Sequence, residues 1–79
     1  MPLEIRLSAS LRRQVPGYDL LRGLAWAWEP GLNVAALLAR LDLNPQDVKI
    51  IMINGRAGSP ASPLADGDRV GLFPAMGGG

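Results

Sequence analysis

One stretch of this chain has helical periodicity, and the segments before it alternate in twos. Val34, Leu37, Leu38 and Leu41 fall at i, i+3, i+4 and i+7, a single apolar stripe on an α-helix. Asn33 stands just before the stripe as an N-cap. Arg40 lies in the last turn, where the helix dipole favours a cation, and Asn44-Pro45 marks the expected stop. Before the helix, Leu3, Ile5 and Leu7 alternate with Glu4, Arg6 and Ser8 as in a half-buried strand. Pro2 sits at its start, where a missing N–H is tolerated. Ser8 to Tyr18 reads as a short helical turn and loop, punctuated by Pro16-Gly17. Leu24, Trp26 and Trp28 alternate with Ala25, Ala27 and Glu29 until Pro30-Gly31 ends the strand. After the helix, Val48 to Ile53 is a β-rich run closed by Asn54-Gly55, a hairpin signal. Arg56 to Pro63 is polar and proline-rich, a loop with room for one short strand. A tight turn over Leu64 to Asp68 leads into a last strand, Arg69 to Phe73.

A lone helix with one apolar face must bury that face against a sheet, which gives a two-layer α+β domain. The order is strand, loop, strand, helix, strand, short strand or loop, strand. The first two strands are close enough to pair, and the helix crosses the sheet before the final strands return. A β-grasp roll fits this order: a mixed sheet of four to five strands with one main helix across one face. A ferredoxin-like fold needs two helices, and the sequence has one good candidate. The expected organisation is one domain over residues 1–76 and a flexible glycine tail over 77–79.

Composition removes most chemistries. The 79 residues contain no cysteine and no histidine, so disulfides, thiolate metal sites and the usual neutral-pH base are all missing. Ser8, Ser10, Ser59 and Ser62 lie among turn formers, and none sits in a nucleophile elbow. Asp66 and Asp68 flank Gly67 as turn-stabilising carboxylates, and no Gly-Lys-Ser/Thr follows the glycines as a phosphate loop requires. The two tryptophans read as packing residues. Net charge is +1 and the basic residues are scattered, so nothing resembles a nucleic-acid stripe. The apolar runs are far short of a membrane span. The first residues form neither a signal nor a transit peptide, so a cytoplasmic location is expected. The chain is not expected to act as an enzyme or to bind a cofactor of its own.

The remaining reactive group is the carboxylate of Gly79, at the end of Gly77-Gly78-Gly79. Glycine has no Cβ, so such a tail can thread a narrow channel and present its carboxylate to a reagent such as ATP. Around it, Asn54-Gly55-Arg56, Pro63-Leu64-Ala65-Asp66-Gly67-Asp68-Arg69-Val70, Leu72-Phe73-Pro74 and Gly78-Gly79 resemble the small sulfur carriers of the MoaD/ThiS family. That family's pattern runs V-N-G, then L-x-D-G-D-x-V-x-x-F-P-P, then a terminal Gly-Gly. The Phe-Pro pair looks more like the molybdopterin synthase small subunit than the thiamine-pathway carrier. Ala75 stands where the family has its second proline, and Gly77 fills a variable position.

The resemblance implies a ubiquitin-like β-grasp fold and a defined cycle. An E1-like enzyme consumes ATP to adenylate Gly79, a sulfur donor converts the adenylate to a thiocarboxylate, and the tail enters an acceptor enzyme. In the molybdopterin branch the acceptor is the large synthase subunit. Other members of this class would supply thiamine thiazole or another sulfur-containing product, and a plain β-grasp interaction module or a lysine-linked modifier are the readings outside it. The resemblance also implies that the residue before Asn54 points inward. Alternation then turns Ile50 and Met52 outward. With Phe73, Pro74 and Met76 they are the expected partner-binding residues.

Overall fold

The computed structural model describes residues 1–74. Five strands form one sheet in the order β2-β1-β5-β3-β4. They are β1 (Leu3–Leu7), β2 (Leu24–Trp26), β3 (Ile50–Ile53), β4 (Arg56–Ala57) and β5 (Arg69–Phe73), with one α-helix, α1 (Val34–Arg40), between β2 and β3. The central pair β1/β5 is parallel, and the β1/β2, β3/β5 and β3/β4 pairs are antiparallel. This mixed sheet with a single helix on one face is the β-grasp roll.

The inner face of the sheet and the helix stripe make one core. Leu3, Ile5 and Leu7 of β1, Val70 and Leu72 of β5, and Ile51 of β3 pack with Val34, Leu37, Leu38 and Leu41. Every stripe residue is buried. The start of α1 is secured by backbone as well as by its cap. Asn33 Oδ1 accepts from the Ala36 N–H at 2.8 Å. The Val34 and Ala35 N–H groups, left without partners inside the helix, donate to the carbonyls of Ser62 and Pro60 at 3.1 and 2.9 Å. Ser59 and Ser62 hold that loop closed: the Ser59 N–H donates to Ser62 Oγ at 2.9 Å.

The end of α1 differs from the expectation. The helix stops at Arg40, ahead of Asn44-Pro45, because Asp42 turns left-handed with φ 57. The Asp42 N–H donates to the Ala39 carbonyl at 3.2 Å and the Leu43 N–H to the Leu38 carbonyl at 3.0 Å. Leu38 and Leu43 are both buried beneath the turn. This is a Schellman motif with aspartate in the place glycine usually takes. Pro45–Asp47 forms a separate 3-10 turn beyond it.

β2 is also shorter than its alternation suggests. The strand ends at Trp26, which pairs with Leu3. Trp28 lies outside the strand, and its indole N–H donates to the Leu64 carbonyl at 2.6 Å. Leu24 and Trp26 pack against the core as their alternation requires. Among the described residues no helix is long and apolar enough to cross a membrane.

Candidate functional site

The face of the sheet away from α1 carries the residues expected to meet a partner. β5 is buried at Val70 and Leu72, which turns Arg69, Gly71 and Phe73 outward. β3 is buried at Ile51 and turns Ile50 and Met52 outward. Register then brings them together. Ile50 lies opposite Phe73 and Met52 opposite Gly71, and the Lys49 N–H donates to the Phe73 carbonyl at 2.8 Å. Ile50 is 46% exposed, while Met52 and Phe73 are half-buried.

Gly71 shapes this patch. A Cβ placed on it would stand 3.4 Å from Phe73 Cε1 and 3.7 Å from Met52 Cβ. The Phe73 ring therefore lies back against the glycine, next to Met52, and forms a low apolar platform with Ile50 at its edge. Nothing in the sequence pattern marked Gly71 for this role, because a lone glycine in a strand also signals a bulge or a close backbone approach. Pro74 is buried, so the free surface of the patch is made by the other three. Met76, Gly77, Gly78 and Gly79 lie outside the described residues, as does the expected boundary between domain and tail.

Two turn signals that the sequence presents separately meet in space. Asn54 and Gly55 are both left-handed, with φ 53 and 81, the signature of a two-residue type I′ hairpin. Asn54 Nδ2 donates to Asp68 Oδ1 at 2.8 Å, and Asn54 Oδ1 accepts from the Arg69 N–H at 2.9 Å. Asp68 Oδ2 accepts from the Ala65 N–H at 2.8 Å, closing the turn that contains Gly67. Asp66 accepts from the Met1 ammonium at 2.8 Å. Both carboxylates serve structure, as their setting around a glycine implies.

Electrostatics add one perturbed group. The carboxyl of Asp19 is held below its ordinary value, first by the Arg22 N–H, then by the Leu21 N–H, with a smaller contribution from the positive charge of Arg6. Among the described residues no cluster of acidic side chains could hold a metal ion.

The ThiS family model matches residues 5–79. Two solved structures share the fold. The crystal structure of SAMP1 from Haloferax volcanii is 20% identical, with TM-score 0.70 and complete coverage of both chains. The solution structure of the Haloferax volcanii HVO 2177 protein is 26% identical, with TM-score 0.74, covering 100% of this chain and 87% of that one. No curated protein matches the chain. Since the family match runs from β1 through the clasped turns and β5 to the glycines, the chain belongs to the ThiS family of ubiquitin-like proteins.

Proposed function

We propose that this protein is a sulfur carrier whose Gly79 carboxylate is activated by an E1-like adenylating enzyme. The carboxylate attacks the α-phosphorus of ATP and releases pyrophosphate. A sulfur nucleophile then displaces AMP, leaving a thiocarboxylate that an acceptor enzyme consumes. ATP is spent by the activating enzyme and is no resident cofactor of the carrier. The cycle belongs in the cytoplasm, with neither nucleic acid nor membrane as partner.

The observation that carries the reading is the course of β5. The strand leaves the sheet at Phe73, beside an exposed apolar platform, and Gly79 lies six residues beyond Phe73. Extended, such a segment reaches about 20 Å. A partner that grips the platform would have the tail within reach of its active site. Phe73-Pro74 favours molybdopterin synthesis, with this chain as the small subunit of molybdopterin synthase and its tail inserted into the large subunit. A second acceptor, in thiamine thiazole synthesis, is favoured by the description of the matching family.

The test is intact mass after incubation with ATP, a sulfide source and the E1-like enzyme of the same source organism. Replacement of one oxygen by one sulfur is expected on a chain ending at Gly79 and absent from a chain lacking Gly78 and Gly79. Equal sulfur transfer from the shortened chain would overturn the reading. Desulfuration by the large synthase subunit, as against the thiazole-forming enzyme, assigns the acceptor.

A further inference from the structure

The outer face has a second feature that sulfur transfer leaves unused. At the end of the sheet away from Phe73 lies a groove of about 370 Å³. It runs over the cross-strand row Ala25, Glu4 and Arg69, which join β2, β1 and β5. Pro2, Leu24 and Ala25 supply apolar lining, and the two arginines Arg22 and Arg69 line the same space.

The charge of this groove is not balanced from within. Glu4, its one acid, faces Arg6 Nε at 3.6 Å. Among the described residues, neither the Arg22 nor the Arg69 side chain has a hydrogen bond or ion pair; their engaged groups are backbone ones, the Arg22 N–H with Asp19 and the Arg69 N–H and carbonyl with Asn54. The neighbouring acids are already occupied. Asp19 is held by the Leu21 and Arg22 N–H groups, Asp66 by the Met1 ammonium, and Asp68 by Asn54 and Ala65. Two cations thus border a partly apolar trough whose one carboxylate, that of Glu4, is shared with another arginine.

A guanidinium is a planar fork of donors that matches a carboxylate in two hydrogen bonds. The apolar lining suits the carbon chain behind such a carboxylate. The groove also continues the platform. Arg69, Gly71 and Phe73 face outward in turn along β5, and each two-residue step along a strand covers about 7 Å. A single extended segment laid along β5 would meet Phe73, Met52 and Ile50 with apolar side chains and, about two steps on, Arg69 and Arg22 with an acidic one.

We propose that the groove between Arg22 and Arg69 receives an aspartate or glutamate side chain of a protein partner, the same partner whose apolar side chains cover Ile50, Met52 and Phe73. This rests on the carrier reading only for the identity of that partner. The acidic contact selects among enzymes that could all grip the apolar platform, because an unmatched cation pair at a closed interface disfavours any other surface.

The experiment is an NMR titration of the isotope-labelled chain with the acetylated peptide Leu-Phe-Gly-Glu-Asp-Leu and its Gln/Asn counterpart. The acidic peptide should shift the amides of Ala25 and Arg69 and the Arg22 and Arg69 side-chain signals. The neutral peptide should bind roughly tenfold more weakly. An Arg22→Glu/Arg69→Glu variant, altered at two exposed positions, should lose the acidic peptide to a similar degree. Equal shifts with both peptides, or shifts confined to residues outside the groove, would overturn the proposal. With the E1-like enzyme, sulfur incorporation by the unaltered chain tests the carrier reading alone. The ratio between unaltered chain and double variant tests the groove: a rate reduced roughly tenfold supports it, and equal rates refute it.

Discussion

Asn54 and Asp68 hold each other across the end of the β3/β5 pair, the asparagine Nδ2 donating to the aspartate Oδ1 at 2.8 Å. The Asn54 N–H donates to the Arg69 carbonyl at 2.8 Å while its side-chain oxygen accepts from the Arg69 N–H. One residue therefore ties a hairpin turn, a loop and the start of β5. This sets Ile53 opposite Val70 and, three residues along, Ile50 opposite Phe73. A slip of one residue would turn Phe73 toward the helix and dismantle the outer platform.

The clasp is expected to act as a unit. Asn54→Gly, which keeps the left-handed backbone accessible, and Asp68→Ala should each lower stability by about 1 to 2 kcal/mol. The double variant should lose less than the sum, with a coupling of about 1 kcal/mol in a denaturant double-mutant cycle. Strict additivity would mean that the two side chains do not support each other.

Asp42 is a place where the chain is less stable than its backbone permits. A left-handed conformation costs an L-residue about 1 to 2 kcal/mol, part of which glycine gives back in lost chain entropy. Its carboxylate also stands at a helix C-terminus, where the dipole favours cations. Asp42→Gly should raise stability by up to about 1 kcal/mol, seen as a higher urea midpoint at unchanged slope. A lower midpoint would show that the aspartate side chain contributes something the glycine cannot.

The platform makes separable demands on folding and binding. Ile50→Asp should fold with unchanged cooperativity and weaken association with the E1-like enzyme by more than about 1 kcal/mol. Phe73→Ala should do the same with little loss of stability, since its ring lies on the outer face. Gly71→Val should lift that ring and reduce affinity while the melting transition stays cooperative. Unfolding of the Ile50 variant would place that side chain in the core and remove the platform from the docking surface.

Asp19 gives the β1–β2 connection an acid-sensitive anchor. Its folded-state carboxyl lies below the ordinary value of 3.8, chiefly through the Arg22 N–H and next through the Leu21 N–H. A depressed value means that the ionised form is favoured by the fold. The stabilisation is fully present above the ordinary value and is lost as pH falls through the folded one. Asp19→Asn keeps an acceptor oxygen but cannot titrate. Melting temperatures of the two chains should be farthest apart above pH 5 and converge in acid. A gap that stays constant down through this range would exclude Asp19 as its source.

Much of this architecture was legible in order. The stripe of Val34, Leu37, Leu38 and Leu41 and the alternation of Leu3, Ile5 and Leu7 are local periodicities, imposed by the geometry of helix and strand, and each predicted its buried face. For β3, apolar on both faces, alternation left two choices open, and the family resemblance, which points the residue before Asn54 inward, turned Ile50 outward. The capping of Asn33 and the left-handed turn at Asn54-Gly55 also depend only on neighbours in the chain. Where local signals were weak, boundaries moved. Asp42 ends the helix without the glycine that would have announced it, and β2 stops at Trp26, short of the Trp28 that its alternation includes.

What no local pattern could decide was which distant residues meet. Asn54 and Asp68 each read as a turn former, and only the antiparallel pairing of β3 with β5 makes them one device. Gly71 became the seat of the Phe73 ring because a side chain on one strand folds over a missing one two residues away. Arg22, just ahead of β2, and Arg69, at the start of β5, share a groove because β1 lies between β2 and β5. These relations depend on strand order and register, which follow from the packing of the whole core. The sequence by itself determined the elements, their buried faces and the family; the tertiary structure decided the clasp, the platform and the arginine groove, because side-chain proximity across a sheet is set by pairing and not by spacing along the chain.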